Sequence, residues 1–171
     1  MTDTAHQEKH FENYIVGKLQ GQGWDVGHTD NYDTERALYP QDLAAWLQTS
    51  QPKVWEKLVK DHGDRALEHL MNQIVKALED PKKGTMHVLR RGISIAGCGQ
   101  IDLSEAAPED KRNADVLQRY GANILRVVPQ LQYHPTRKLA IDLVLFINGI
   151  PVATVELKTD FTQSAEAAMD K

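Results

Sequence analysis

Near the end of the 171-residue chain, Asp142, Glu156 and Lys158 stand at a spacing that supports chemistry. Asp142 lies in the apolar run 141–147, and Glu156 and Lys158 end the run 150–158. Alternate residues of a strand share a face, so Glu156 and Lys158 are neighbours by geometry. Two carboxylates can hold one Mg²⁺, with waters and substrate phosphate oxygens completing its octahedron. Such an ion polarises a phosphoryl group and activates water. A lysine beside it orients that water or neutralises charge developing on the phosphorus oxygens. The bland alternative is a sheet-edge salt bridge, Glu156 with Lys158 or Asp142. For so short a pattern the bland reading is the ordinary one, and the position of all three at the ends of two apolar strands joined by a hairpin strengthens the metal reading.

The elements that must position these residues are legible around them. Leu139–Ile147 and Ile150–Lys158 read as a strand pair, and Asn148-Gly149 between them is the strongest hairpin signal in the chain. Ile141, Leu143, Leu145 and Ile147, with Ala153, Val155 and Leu157, are all odd-numbered and apolar, which predicts one shared buried face. Asp142, Glu156 and Lys158 then share the other face with Val144, Phe146 and Thr154. A two-residue turn breaks that parity, so the spacing predicts a three-residue loop with Gly149 left-handed, or else a strand bend near Asp142.

The first half reads as helical. Phe11, Ile15, Val16 and Leu19 recur at helical spacing before Gly21 and Gly23. Residues 24–39 are polar and read as a loop. Pro40 and Pro52 suit the first turns of two short helices, and a third follows over about residues 64–78. Beyond Pro81 the period changes. Residues 85–95 read as strand, Gly97-Cys98-Gly99 as a bend, 100–103 as a sheet extension, 108–120 as a helix and 123–133 as a strand. Thr162 or Ser164 could cap a further helix running to Lys171.

Lys plus Arg total 20 against 24 Asp plus Glu, which excludes a protein coated in basic charge but not a local basic groove. Residues 1–81 carry net −6 (8 basic, 14 acidic) and residues 82–171 net +2 (12 basic, 10 acidic). The positive excess lies in two acid-free stretches, one with Arg90 and Arg91 and the other with Arg126, Arg137 and Lys138. The single Cys98 excludes an intrachain disulfide and a cysteine-based zinc site, and fits a reducing compartment. No apolar run reaches the ~20 residues of a membrane span, and the first residues lack a secretory pattern. The expectation is one cytoplasmic domain over 1–171, with a helical part over about 6–81 and a sheet-containing part over about 84–171.

The run from Ile141-Asp142 through Asn148-Gly149 to Glu156-Leu157-Lys158 resembles the PD-(D/E)xK nuclease core. More narrowly, it resembles the N-terminal nuclease domain of the R (restriction) subunit of type I restriction-modification enzymes. The helix around Phe11-Glu12-Asn13-Tyr14 and the segment 126–133 fit the same family. The resemblance runs from about residue 8 to the end, with residues 25–84 contributing least. Ile141 stands where proline often precedes the aspartate, and Thr159 where asparagine is common.

The resemblance implies an α/β, restriction-endonuclease-like mixed central sheet flanked by helices, with an extra helical insertion near residues 40–80. It implies a type I site-specific deoxyribonuclease that uses Mg²⁺ to cleave double-stranded DNA. Asp142 and Glu156 would be metal ligands, with Leu157 through its carbonyl and Glu12 on the first helix, and Lys158 would position water or stabilise charge. Arg90, Arg91, Arg126, Arg137 and Lys138 are candidate phosphate contacts. No G-x-x-x-x-G-K-[ST] loop is present, so ATP would be used only by a motor of the full-length parent, beyond this N-terminal fragment. Methyltransferase and specificity subunits would be the partners, since no base-reading motif is visible here. The rival readings are a stand-alone nuclease of the same superfamily acting in repair, and a catalytically silent module that docks DNA or subunits. His6, His10, His62 and His69 are expected to be structural or solvent-exposed, and Trp24, Trp46 and Trp55 to pack.

Overall fold

The computed structural model describes residues 2–158 other than 111 and 135, with side chains from residue 8. The helix expected around Thr162 or Ser164 lies outside the described residues.

Helix α1 (Thr2–Gln20) is followed by a two-residue strand β1 (Asp25–Val26). Three helices come next: α2 (Pro40–Ser50), α3 (Pro52–His62) and α4 (Ala66–Leu78). Proline stands in the first turn of α2 and of α3, where its missing N–H has no intrahelical partner to lose. Helix α5 (Gly84–Arg91) then leads into the hairpin β2 (Ile93–Ile95) and β3 (Gly99–Ile101), which forms a small sheet of its own. Helix α6 (Ala114–Gly121) is capped by the Asn113 side chain. Strands β4 (Leu125–Gln132), β5 (Ala140–Ile147) and β6 (Ile150–Val155) complete the main sheet. Its order is β1-β4-β5-β6, with β1 parallel to β4 and the other pairs antiparallel. The fold is therefore mixed α/β, with a mixed central sheet and a helical insertion over residues 40–78. No helix among the described residues is long and apolar enough to cross a membrane.

Several expectations need correction. Residues 85–91 are helical: Met86 and His87 face solvent while Val88 and Leu89 pack inward, and Gly92 stops the helix with φ 62°. Residues 99–101 do extend the pairing of β2, but in a small sheet apart from the main one. The helix expected over 108–120 begins only at Ala114, at the Asn113 cap. The segment 24–39 contributes β1, because Gly27 donates to the Val127 carbonyl at 2.8 Å and draws the chain alongside β4.

At the hairpin the expected three-residue loop is absent, and a strand irregularity in β6 keeps Asp142 and Glu156 in step instead. The turn holds two residues, with Ile147 paired to Ile150 and both Asn148 (φ 49°) and Gly149 (φ 82°) left-handed, as a primed turn requires. One residue further along, Phe146 pairs with Pro151 but Leu145 pairs with Ala153, so Val152 is extra. This bulge on edge strand β6 sits beside Pro151, which has no N–H to give the ladder. It restores the parity that the turn breaks. From there Leu143 pairs with Val155, and continuing the register sets Asp142 level with Glu156.

The sheet is not apolar on one face only. Leu143 and Val127 are buried on the odd side, but Val128, Val144 and Phe146 are buried on the even side, against Tyr39 and Tyr32. The loop between β1 and α2 covers the even face, which the alternation alone could not reveal. A larger core gathers α2–α5, the β2–β3 hairpin and Ile150 around Leu43, Trp46, Leu70 and Ile74. Trp46 is buried and donates to the Asp102 carbonyl at 2.8 Å, and Trp55 packs at the core's margin.

Candidate active site

Helix α1 lies against β4, because residues 21–24 turn the chain directly into β1, the parallel neighbour of β4. The turn is tied by Trp24 N–H donating to the Leu19 carbonyl at 3.1 Å. Glu12 is thereby carried from a helix surface into the protein, where it is only 7% exposed. On β4, Pro129 pairs with Leu143 and Leu131 with Ile141, so Gln130 lies across from Asp142. Three elements thus deliver three polar side chains to one place.

A buried carboxylate needs donors. The Gln130 amide nitrogen supplies one, donating to Glu12 Oε2 at 2.5 Å and to Asp142 Oδ1 at 3.3 Å. The second oxygen of Asp142 accepts from the Leu157 backbone N–H at 2.6 Å. Both oxygens of Asp142 are thus oriented, one by the chain leaving β6 and one by Gln130. The group lines a cleft of 420 Å³ together with Glu8 and Lys9. Gln130 has φ 49°, a left-handed conformation inside a strand that a non-glycine residue rarely adopts. Strain of this kind gathers at functional sites.

Of the residues singled out in the sequence, Asp142, Glu12 and Leu157 come together here. Glu156 and Lys158 flank Leu157 just past the end of β6; both are exposed, and neither lines the cleft. Gln130 was not singled out, nor were Glu8 and Lys9. Among the described residues, no three His, Cys, Asp or Glu side chains converge as a metal cage.

The basic candidates fall into three places. Arg137 and Lys138 are exposed in the β4–β5 connection, at the cleft end of the sheet. Arg90 and Arg91 are exposed in the last turn of α5. Arg126 is level with Phe146, about 13 Å along β4 from Gln130 at ~3.3 Å per residue. Its guanidinium meets the buried Asp42 in a two-pronged pair at 2.6 and 2.7 Å and lies over the Tyr39 ring. That bonding raises its pKa above the usual arginine value, against burial, which lowers it. The structure gives Arg126 a partner inside the protein. Elsewhere, His10 is exposed, while His62 and His69 stack at 3.9 Å between ring centroids.

The family model for the type I restriction enzyme R protein N terminus (HSDR_N) matches residues 6–171. The chain belongs to that family. It is thus an N-terminal region of a type I restriction enzyme R subunit. Comparison with curated proteins and with solved structures returned no match. The family match includes both halves of the cleft, α1 with Glu12 and the β4–β6 segment with Gln130, Asp142 and Leu157.

Proposed function

We propose that this R-subunit region is a nuclease domain that hydrolyses the phosphodiester backbone of double-stranded DNA with Mg²⁺. The observation that carries the reading is the cleft in which Glu12 and Asp142 face one another across a single donor nitrogen. Paired anionic oxygens in an open cleft suit Mg²⁺, which is usually held by one or two carboxylates with water and substrate phosphate. Glu12 and Asp142 would hold the ion, with the Leu157 carbonyl beside them; Glu156, exposed just past β6, would join as a ligand by turning toward the cleft. When bound, it supplies charge stabilisation to the phosphoryl oxygens and a lowered pKa for water.

The chain's own residues do the rest. The Leu157 N–H keeps one Asp142 oxygen turned toward the end of β6 and leaves the other toward the cleft. Lys158 orients the attacking water or offsets charge building on the phosphorus oxygens. Arg137 and Lys138, at the same end of the sheet, position the DNA backbone without reading bases. Sequence recognition and ATP-driven translocation belong to other parts of the assembly, the specificity and methyltransferase subunits and the motor region of the R subunit.

The test uses the assembled enzyme with unmodified DNA, Mg²⁺ and ATP. Asp142→Ala and Lys158→Ala are each expected to lower cleavage at least about 100-fold while ATP hydrolysis persists. Unchanged cleavage in both variants would remove the nuclease assignment. Cleavage by the domain without ATP or partner subunits would instead identify a self-sufficient nuclease.

A further inference from the structure

Gln130 occupies an unusual position between two acids. Glu12 is nine-tenths buried, and one of its oxygens accepts from the Gln130 amide, which also reaches Asp142. A carboxamide NH₂ carries two positively polarised hydrogens, so a single nitrogen can answer two carboxylates at once. Bonds from such a group to ionised acceptors are stronger than those between neutral groups. The backbone adopts a left-handed φ at this one residue to aim the side chain, while the β4–β5 register continues unbroken on both sides. Gln130 itself is exposed and has solvent to swing into.

We infer that the Gln130 carboxamide stands in for a divalent cation. Its NH₂ group bridges Glu12 and Asp142 and keeps the two carboxylates from spreading apart. When a divalent ion enters between them, the amide gives way. Gln130 is then a positioning residue: it stores the geometry of the site and sets the metal concentration at which the site fills. The inference rests on the reading of this cleft as a Mg²⁺ site.

The experiment measures binding and stability, not cleavage. Mn²⁺ affinity of the 171-residue chain is read from the loss of the free-ion resonance signal, with Mg²⁺ as competitor. Gln130→Ala is expected to bind Mn²⁺ about threefold to tenfold more tightly, because no hydrogen bonds must be surrendered, and to unfold at lower temperature without metal. Gln130→Gly should behave alike, and its backbone is at ease at this φ, so it guards against a misfolded alanine variant. Gln130→Glu should bind more tightly still, with metal-free stability recovering when Mn²⁺ is added. A merely structural residue would lose affinity when removed. If the wild-type chain binds no Mn²⁺, or Asp142→Asn leaves binding intact, the metal-site reading fails and the inference with it. If the wild-type chain binds through Asp142 but Gln130→Ala and Gln130→Gly bind equally or more weakly, the inference alone is overturned.

Discussion

A single charged residue can serve a fold or a ligand, and Arg126 shows how burial decides between them. In sequence it belongs with the basic residues that suit phosphate contacts. In the structure it is fastened to Asp42, a carboxylate with only 3% of its side chain exposed, and flanked by Tyr39 and by Asp25 at 3.6 Å. Removing one member of a buried pair strands the other without compensation, at a cost of about 3–5 kcal/mol. Asp42→Ala should therefore lose stability of that order in urea unfolding, while Asp42→Leu combined with Arg126→Met should recover most of it. Arg137→Ala and Lys138→Ala, both exposed, should leave the unfolding midpoint nearly unchanged and weaken DNA binding in a salt-dependent way. Equal stability losses at Arg126 and Arg137 would refute this division. Glu12 makes the converse point, since helical periodicity leaves it an ordinary surface carboxylate. Only the packing of α1 on β4 buries it.

At the scale of elements, the β5–β6 hairpin joins the catalytic candidates to the helical half. Its turn is buried. Asn148 accepts from the Ile124 N–H at 2.7 Å and donates to the Leu103 carbonyl and to Asn123, each at 2.9 Å. Gly149 accepts from the Tyr39 N–H at 2.8 Å, and a Cβ there would collide with the Tyr39 carbonyl. Asn148→Ala leaves buried donors and acceptors unpaired and should cost about 2–3 kcal/mol. Gly149→Ala combines a left-handed φ with overpacking and should cost at least ~2 kcal/mol. Chemical denaturation checks both, and a loss below half a unit in either would contradict the clamp. The Asn-Gly signal was readable because a primed turn has few chemical solutions. The bulge at Val152 was not, because it depends on how an edge strand carrying Pro151 accommodates its neighbour.

For the whole molecule, acid stability offers a test of the helical insertion. His69 sits beside His62 between α3 and α4, and its pKa is lowered by burial first, then by His62 and by Lys76. Arg65 and Glu68 line the same 260 Å³ cavity. The unfolded chain then holds more protons at this residue than the folded one in the window below the ordinary value of 6.5. Stability from His69 is thus complete above that value and declines as pH falls toward the lowered folded pKa. Unfolding midpoints should drop over this window, and His69→Gln should flatten the decline. An unchanged slope in the variant would rule out this residue as the source.

What the sequence by itself determined is local: proline-opened helices, the Asn-Gly hairpin, a strand pair carrying Asp142, and the acidic and basic halves. These follow from backbone restriction and periodicity, which act over a few residues. The tertiary structure alone decided which distant groups meet. The burial of Glu12 depends on a two-residue strand that β4 recruits, and the placing of Gln130 beside Asp142 on a register set across the connection 133–139. The partner of Arg126 lies 84 residues away. The second buried sheet face depends on Tyr32 and Tyr39 folding over it. Such contacts are selected by the joint burial of several segments, and no one segment's pattern contains them.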